Sequence, residues 1–302
     1  MITRGTCDHV FVFYWVAKYT LGIALKLTFR PWSRGRKNVP RRGPVILVSN
    51  HLSFADHFFG PLPLPRKVVF LAKSEYFTGS PQTIRDWASH LAAAGLTVRV
   101  PRLAGHGGSW QELAKTGWTD WYADAERAFA ELSSRCSQVF VAGLSMGGCL
   151  ALRLAETQGP RVSGVVVVNP SLAADTPLIA LAPVLKYAVK SLKSIGGDIK
   201  KNGVTEQAVR RTPLASVATM PAMWRTTAAA LSTVTQPLLV FRSTEDHVVG
   251  PASMKVLMTA LPGAEVRPLT NSYHVATLDN DAPEIFDGTL AFIRAHVRSQ
   301  TQ

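Results

Sequence analysis

The stretch "QVFVAGLSMGGCL" (138–150) determines the fold class that the sequence predicts. Residues 138–143 form a short apolar run typical of a buried strand, and a helix is predicted from about residue 147. Between them lies the pattern G-x-S-x-G, in which glycines on either side of Ser145 permit a sharp turn from strand to helix. Such a turn raises the Ser145 hydroxyl above the sheet edge and directs the backbone N–H of Met146 at an oxyanion formed there. The pattern therefore predicts Ser145 as a catalytic nucleophile and Met146 as an oxyanion donor.

Helices and strands alternate on both sides of this turn. Ser80 as an N-cap and Pro81 at the first helical position predict a helix that ends at Gly95. Further helices are predicted at about 119–135, 251–261 and 283–297, and strands at 96–100, 138–143, 163–170, 237–242 and 264–268. Short apolar strands separated by helices favour a mostly parallel sheet covered on both faces, so the predicted fold class is α/β.

A nucleophilic serine needs a base and an acid, which in folds of this type follow it in the order Ser, Asp, His. Asp246 lies in the loop after the strand "PLLVFR" (237–242), and His274 lies in the loop "NSYHV" after the next strand. The order and the loop positions predict Asp246 as the acid and His274 as the base. Glu245, beside Asp246, remains an alternative acid.

Other histidines and carboxylates fit this role less well. His106, in "GHGG", is interpreted as bracing a turn, and His247 follows the acid too closely to be its partner. Asp279 and Asp281 come after the base and are interpreted as loop or cap carboxylates.

The motifs "FTGSPQ" (77–82), "GHG" (105–107), "GLSMGG" (143–148) and "SYHV" (272–275) occur in an order found in a known enzyme group. With the Asp246 loop, they resemble the bacterial carboxylesterases and monoacylglycerol lipases of the α/β-hydrolase superfamily, from residue 77 to about 297. The resemblance implies hydrolysis of short- to medium-chain acyl esters, such as monoacylglycerols, and a small helical cap at about 171–232. No cofactor or metal is expected. It also implies that the backbone N–H of Phe77 is the second oxyanion donor. Here Glu75-Tyr76 stand where that family has His-Gly.

Positive charge is concentrated near the N-terminus. Residues 1–79 hold 12 Lys and Arg against 3 Asp and Glu, a net +9 of the total +13. An apolar, aromatic run there is interrupted by Lys18 and Lys26, which argues against a spanning helix. A basic cluster follows it, consisting of Arg30, Arg34, Arg36, Lys37, Arg41 and Arg42. This pattern favours an interfacial helix that binds anionic lipid at the inner face of the cell membrane. A core helix followed by a solvated basic loop is the alternative.

The remaining composition points to an intracellular protein. The three cysteines, Cys7, Cys136 and Cys149, lack the spacing of metal ligands, and so few cysteines are typical of a reducing, cytoplasmic setting. No nucleic-acid-binding motif is present, and no nucleic-acid partner is expected.

The segment "GPVILVSNHLSFADHFF" (43–59) contains a second candidate site. His51 and Asp56 follow a predicted strand in an H-x4-D spacing that allows the carboxylate to orient the imidazole. The segment resembles the first motif of the 1-acylglycerol-3-phosphate acyltransferases over about residues 1–75, which implies that His51 is a base on a lysophospholipid hydroxyl. That family also has a downstream Glu-Gly-Thr type motif, whereas this chain contains no Glu-Gly pair. The acyltransferase-like site is therefore predicted to be incomplete.

The two resemblances predict two domains, an acyltransferase-like fragment at 1–75 and an α/β-hydrolase domain at 77–302. They meet at Phe77-Thr78-Gly79, which fits both patterns, and the chain is interpreted as a fusion at this point. The apolar run "KVVFLAK" (67–73) just upstream is predicted to be a strand that could join the hydrolase sheet.

Overall fold

The computed structural model describes residues 82–297, apart from 176–178, 180, 195–196 and 207–210. These residues belong to Ser74–Gln302, the second of the two units into which the chain divides. The predictions that concern residues 1–81, including the interfacial helix, the strand at 67–73 and the helix start at Ser80, lie outside the described residues.

The strands are β1 (Val139–Leu144), β2 (Val162–Val168), β3 (Ser191–Lys193), β4 (Arg211–Pro213), β5 (Leu238–Ser243) and β6 (Glu265–Leu269). The helices are α1 (Gln82–Ala93), α2 (Trp110–Leu113), α3 (Trp118–Ser133), α4 (Met146–Gln158), α5 (Ala182–Leu185), α6 (Leu214–Val217), α7 (Met220–Ala230), α8 (Pro251–Ala260) and α9 (Ala282–His296). Short 3-10 helices lie at Gly159–Arg161, Leu231–Thr233 and Ala276–Leu278. Nine of the helices and strands correspond to predicted ones: the strands β1, β2, β5 and β6 and the helices α1, α3, α4, α8 and α9. Gly95, the predicted helix stop, follows α1 with a φ of +91°.

A parallel sheet with the order β1-β2-β5-β6 forms the centre of the fold. Because every pair of neighbours is parallel, the carboxyl ends of these strands lie along one edge of the sheet, where ligands bind in folds of this type. The loops that carry the predicted nucleophile, acid and base all begin at this edge.

The valines of β2 show how both faces of the sheet are buried. Val165 and Val167 pack into a core with α3, α4 and α7, whereas Val166 and Val168 pack into a second core with α1 and α9. All four are 0% exposed. Successive side chains on a strand point to opposite faces, so an unbroken valine run is stable only with helices on both sides. The predicted two-sided α/β architecture is confirmed.

The segment between β2 and β5 forms the predicted insertion. It contains α5, α6 and α7, and also an antiparallel pair of strands, β3 and β4, that the sequence did not predict. The last helix of the segment, α7, packs against α4 through Met223, which is 0% exposed and part of the main core. Helix α7 therefore belongs to the core, and the cap role of the rest of the segment remains a prediction.

The predicted strand at 96–100 is wrong. These residues have no regular secondary structure, and the sheet formed by the described residues ends at β1. A strand needs a neighbour to accept its ladder hydrogen bonds, and no described segment pairs with 96–100. The apolar residues of "LTVRV" (96–100) are therefore not enough by themselves to form a strand.

Candidate active site

The turn that carries Ser145 is strained, as the sequence pattern predicts. Ser145 has a φ of 54°, which is uncommon for a residue other than glycine. A Cβ atom added to Gly143 would lie 2.1 Å from the carbonyl oxygen of Gly147, so only glycine fits at position 143. A Cβ atom added to Gly147 would meet nothing within 4 Å, so steric contacts do not require a glycine at position 147. Strain of this kind costs about 1–3 kcal/mol and is typical of functional sites.

Backbone hydrogen bonds hold the strained turn in place. The N–H of Ser145 donates to the carbonyl of Val168 on β2 at 2.9 Å, and the carbonyl of Ser145 accepts from Gly148 and Ser171. Helix α4 begins at Met146, directly after the turn. The N–H of Met146 is among the first four of this helix, which have no acceptor within the helix and point outward from its end. The N–H of Met146 therefore has no acceptor within α4, and its role as an oxyanion donor remains a prediction.

Ser145, His274 and Asp246 form a continuous hydrogen-bonded chain. Nε2 of His274 lies 2.9 Å from Oγ of Ser145, and Nδ1 of His274 lies 3.0 Å from Oδ2 of Asp246. An ionised carboxylate can only accept, so Nδ1 carries the ring proton and Nε2 is free to accept from the serine hydroxyl. Ser145 follows β1, Asp246 follows β5 and His274 follows β6, so the parallel sheet itself brings the three residues together.

The Asp246 carboxylate is buried and fully bonded. Its side chain is 0% exposed, Oδ1 accepts from the backbone N–H groups of Val248 and Val249, and Oδ2 accepts from His274 and from Arg242 at 2.8 Å. Burial alone would raise the pKa of Asp246, but the hydrogen bond and charge of His274 and the two N–H groups outweigh it and lower this pKa. The carboxylate is therefore held ionised beside the imidazole.

The other candidates considered in the sequence have different surroundings. Glu245 has a side chain that is 56% exposed and lies 3.3 Å from Nζ of Lys200. His106 lies in a turn with Nδ1 3.2 Å from the carbonyl of Ala104, and burial lowers its pKa. Asp279 accepts from backbone N–H groups and acts as a loop carboxylate. Asp281 likewise accepts from the backbone N–H of Asn271.

Three predicted site residues lie outside the described residues. They are Phe77, the second oxyanion donor, and the acyltransferase-like pair His51 and Asp56. Their roles remain predictions from the sequence.

Asn169 is a site residue that the sequence analysis missed. It follows β2, is 0% exposed and has a φ of 44°. Its Nδ2 donates to the carbonyl of His274 and to Oγ of Ser243, both at 2.9 Å, and its Oδ1 accepts from the N–H of Ser243. Asn tolerates this left-handed conformation better than most residues, so an Asn at the end of the run "VVVVNP" was the available signal. It holds the loop of the base against β5.

A cleft of about 520 Å³ runs past Ser145 and His274. Its walls within the described residues include apolar side chains of Leu103, Met146 and Val275. This size lies within the range of small-molecule sites, and the apolar walls suit an acyl chain. The described part of the chain contains no cluster of side chains suited to hold a metal ion.

A parallel sheet with a serine at a strained strand-to-helix turn, and with an aspartate and a histidine on later loops, defines an α/β hydrolase. The chain belongs to the family whose model is described as "Serine aminopeptidase, S33" (Hydrolase_4), which matches residues 77–281. An acyltransferase family model also matches residues 31–98, so the two matches overlap at 77–98.

Two individual relatives are a monoacylglycerol lipase and a carboxylesterase. The chain is 40% identical over 223 residues to a thermostable monoacylglycerol lipase of Bacillus sp. (strain H-257), covering 73% of this chain and 88% of that protein. It is 23% identical over 220 residues to a carboxylesterase of Bacillus subtilis (strain 168), covering 72% and 89%.

Solved structures agree with this assignment. A structure from work on LipS and LipT, two metagenome-derived lipolytic enzymes, aligns with a TM-score of 0.69 and 40% identity, covering 73% of this chain and 91% of that one. The monoacylglycerol lipase of Paleococcus ferrophilus shares the fold at a TM-score of 0.57 and 17% identity, covering 73% and 92%. The chain is accordingly a carboxylic ester hydrolase that acts on a lipid or other ester substrate.

Proposed function

We propose that the chain hydrolyses monoacylglycerols through Ser145, His274 and Asp246. The observation that supports this most directly is the hydrogen-bonded chain from Ser145 Oγ through His274 to Asp246, with distances of 2.9 and 3.0 Å. The apolar cleft beside Ser145 and the 40% identical monoacylglycerol lipase support a single acyl chain as the group that is bound.

Acylation begins when the Ser145 hydroxyl transfers its proton to Nε2 of His274 and Oγ attacks the ester carbonyl. The carbonyl oxygen becomes an oxyanion, which the N–H of Met146 and, by resemblance, the N–H of Phe77 would stabilise. The bond to glycerol then breaks, and His274 returns its proton to the departing glycerol oxygen. Water then enters where glycerol has left, gives a proton to Nε2 of His274 and attacks the carbonyl carbon of the acyl-enzyme. The bond between that carbon and Oγ of Ser145 breaks, and His274 returns the proton to Oγ, which releases the fatty acid and the free Ser145 hydroxyl.

Asp246 supports both proton transfers without being protonated itself. Its carboxylate fixes the proton on Nδ1, so that Nε2 faces Ser145, and it stabilises the imidazolium formed after each transfer. The lowered pKa of Asp246 supports this role, because a protonated acid would provide no negative charge.

The substrate class can be tested with pairs of substrates. We expect the purified chain to release glycerol and fatty acid in equal amounts from 1-monodecanoylglycerol. Alanine p-nitroanilide, a substrate suited to an aminopeptidase, should be turned over at least about 100-fold more slowly, because the apolar cleft favours an acyl chain over a charged amino terminus. Faster hydrolysis of the anilide than of the monoacylglycerol would contradict the proposal.

We further propose that the basic N-terminal segment holds the enzyme at an anionic membrane surface, at the inner face of the cell membrane. The net +9 of residues 1–79 supports this role, since each basic residue near anionic lipid contributes about 1 kcal/mol. No helix among the described residues is long and apolar enough to span a bilayer. The absence of a Glu-Gly pair leads us to assign no acyl transfer to His51 and Asp56, despite the acyltransferase match.

Vesicle flotation tests the membrane role. Binding to vesicles that contain phosphatidylserine should weaken as salt is raised, and Arg41→Gln with Arg42→Gln should weaken it roughly 30-fold, since two charges contribute about 2 kcal/mol. Arg127→Gln with Arg135→Gln, on the exposed part of α3 and just after it, is the matched control and should change binding little. Equal binding to neutral vesicles would contradict the membrane role.

The assignment of no acyl transfer has its own test. It would be contradicted if the chain acylated lysophosphatidate with acyl-CoA and if His51→Ala abolished this activity.

A further inference from the structure

A short piece of the cap insertion, residues 197–201, lies across the two loops that carry the acid and the base. The carbonyl of Asp198 accepts from the N–H of Val275 at 3.0 Å, next to the base. The N–H groups of Lys200 and Lys201 donate to the buried carboxylate of Asp279 at 2.7 and 2.8 Å. The segment is therefore bonded to the loop of His274 at both ends.

The carboxylate of Asp198 connects this loop to that of the acid. Its Oδ2 accepts from the backbone N–H of His274 at 3.0 Å and from the backbone N–H of His247 at 3.2 Å. Its Oδ1 lies 2.9 Å from Nδ1 of His247, the residue directly after Asp246. The Asp198 side chain is only 15% exposed, so water competes little for these bonds. One carboxylate thus bonds to residues of both loops at the point where acid and base meet.

These bonds complete the restraint of His274. Its two ring nitrogens contact Ser145 and Asp246, and its carbonyl accepts from Nδ2 of Asn169. The remaining polar group of the residue is its backbone N–H, and this group is bonded to Asp198. Without the bond to Asp198, the backbone of His274 would be held only through its carbonyl, and its ring could shift relative to the Ser145 hydroxyl.

We propose that Asp198 is a positioning residue for the proposed reaction, which holds the acid loop and the base loop in the spacing needed for proton transfer. The inference rests on the proposed function of Ser145, His274 and Asp246. It assigns to the cap insertion a part in the chemical step, in addition to covering the substrate.

A role in the chemical step and a role in closing the cap affect different kinetic constants. A displaced His274 weakens stabilisation of the transition state and lowers kcat, whereas a loosened cap weakens substrate binding and raises KM. We expect Asp198→Ala to lower kcat for 1-monodecanoylglycerol about 10- to 100-fold, because small displacements of catalytic groups have effects of this size. KM should remain within about two-fold of the wild-type value, because no binding contact is removed.

The conservative variant Asp198→Asn should recover most of this loss. Its amide oxygen can still accept from the backbone N–H groups of His274 and His247, which are the two bonds that join the loops. We expect a kcat within about three-fold of wild type. If Asp198→Ala does not fold, Asp198→Ser serves in its place, since its shorter side chain cannot reach both loops, and its kcat should also fall.

Each rate is divided by the number of sites that a fluorophosphonate labels after exhaustive incubation, so that unfolded molecules do not contribute. Asp120→Ala is the matched control, because the Asp120 carboxylate also accepts from a backbone N–H, that of Gly117, but at the start of α3. The positioning role of Asp198 would be overturned, with the proposed function intact, by either of two results. One is a normal kcat per labelled site in both Asp198→Ala and Asp198→Ser, and the other is a raised KM with a normal kcat. A wild-type protein without ester hydrolysis would overturn the proposed function and this inference with it.

Discussion

Replacing Ser145 by alanine should lower kcat for ester hydrolysis roughly 10⁵- to 10⁶-fold, the loss typical of a removed serine nucleophile. This corresponds to about 7–8 kcal/mol of lost transition-state stabilisation. The effect is large because the variant cannot form the acyl-enzyme, and His274 has no hydroxyl to deprotonate. Glycerol release from 1-monodecanoylglycerol measures the loss, and labelling by a fluorophosphonate should disappear with it.

The thermal stability of Ser145→Ala separates this loss from unfolding. Alanine keeps the Cβ atom of serine, so the strain at a φ of 54° and the melting temperature should change little. Ser134→Ala is a matched control, because the Ser134 hydroxyl donates to the carbonyl of Glu131 in an exposed part of the fold. Wild-type rates in Ser145→Ala would exclude Ser145 as the nucleophile.

Replacing Asp246 by asparagine should lower kcat about 10⁴-fold. The asparagine amide has the same shape but lacks the negative charge, and an amide N–H turned toward His274 would favour the tautomer with its proton on the wrong nitrogen. It would also leave the guanidinium of Arg242 without the carboxylate that lies 2.8 Å away in the wild-type protein. Michaelis constants should change far less than kcat, since Asp246 does not face the cleft.

The stability of the same variant should depend on pH in a defined direction. Because the pKa of Asp246 is lowered in the folded state, its ionised carboxylate stabilises the fold above its ordinary pKa of about 3.9. This stabilisation is lost as pH falls through the lowered pKa. Wild type should therefore exceed Asp246→Asn in free energy of unfolding at neutral pH, and the difference should shrink in acid. Denaturant unfolding at pH 7 and at pH 3 measures it.

Glu245→Gln provides the matched control for Asp246→Asn. It makes the same chemical change one residue earlier, on a side chain that is 56% exposed and paired with Lys200. We expect kcat within about two-fold of wild type. A larger loss in Glu245→Gln than in Asp246→Asn would mean that the neighbouring carboxylate is the acid.

The sequence could predict the helices and strands because their signals are local. Apolar runs, caps and glycines located most elements to within two residues, including β1, β5 and α9. The strand predicted at 96–100 was wrong because pairing depends on a neighbour distant in sequence. Choosing between Glu245 and Asp246 required the direction of each side chain in the loop after β5, which residue order does not specify.

Contacts between distant residues account for most of what the sequence could not predict. Asp198 lies 76 residues before His274, and Asn169 lies 105 residues before it. Neither forms a motif with the base, and each acquires its role only when the chain brings loops and cap together. The nucleophile turn, in contrast, depends on five consecutive residues and could be predicted in detail.

The separation of Ser145 and His274 by 129 residues has a consequence for biosynthesis. During translation the nucleophile turn leaves the ribosome long before the base has been made, and β6 must join the sheet before the base reaches the serine. A nascent chain therefore contains Ser145 before it contains the proposed base. If these two residues act as proposed, ester hydrolysis begins only after β6 has joined the sheet.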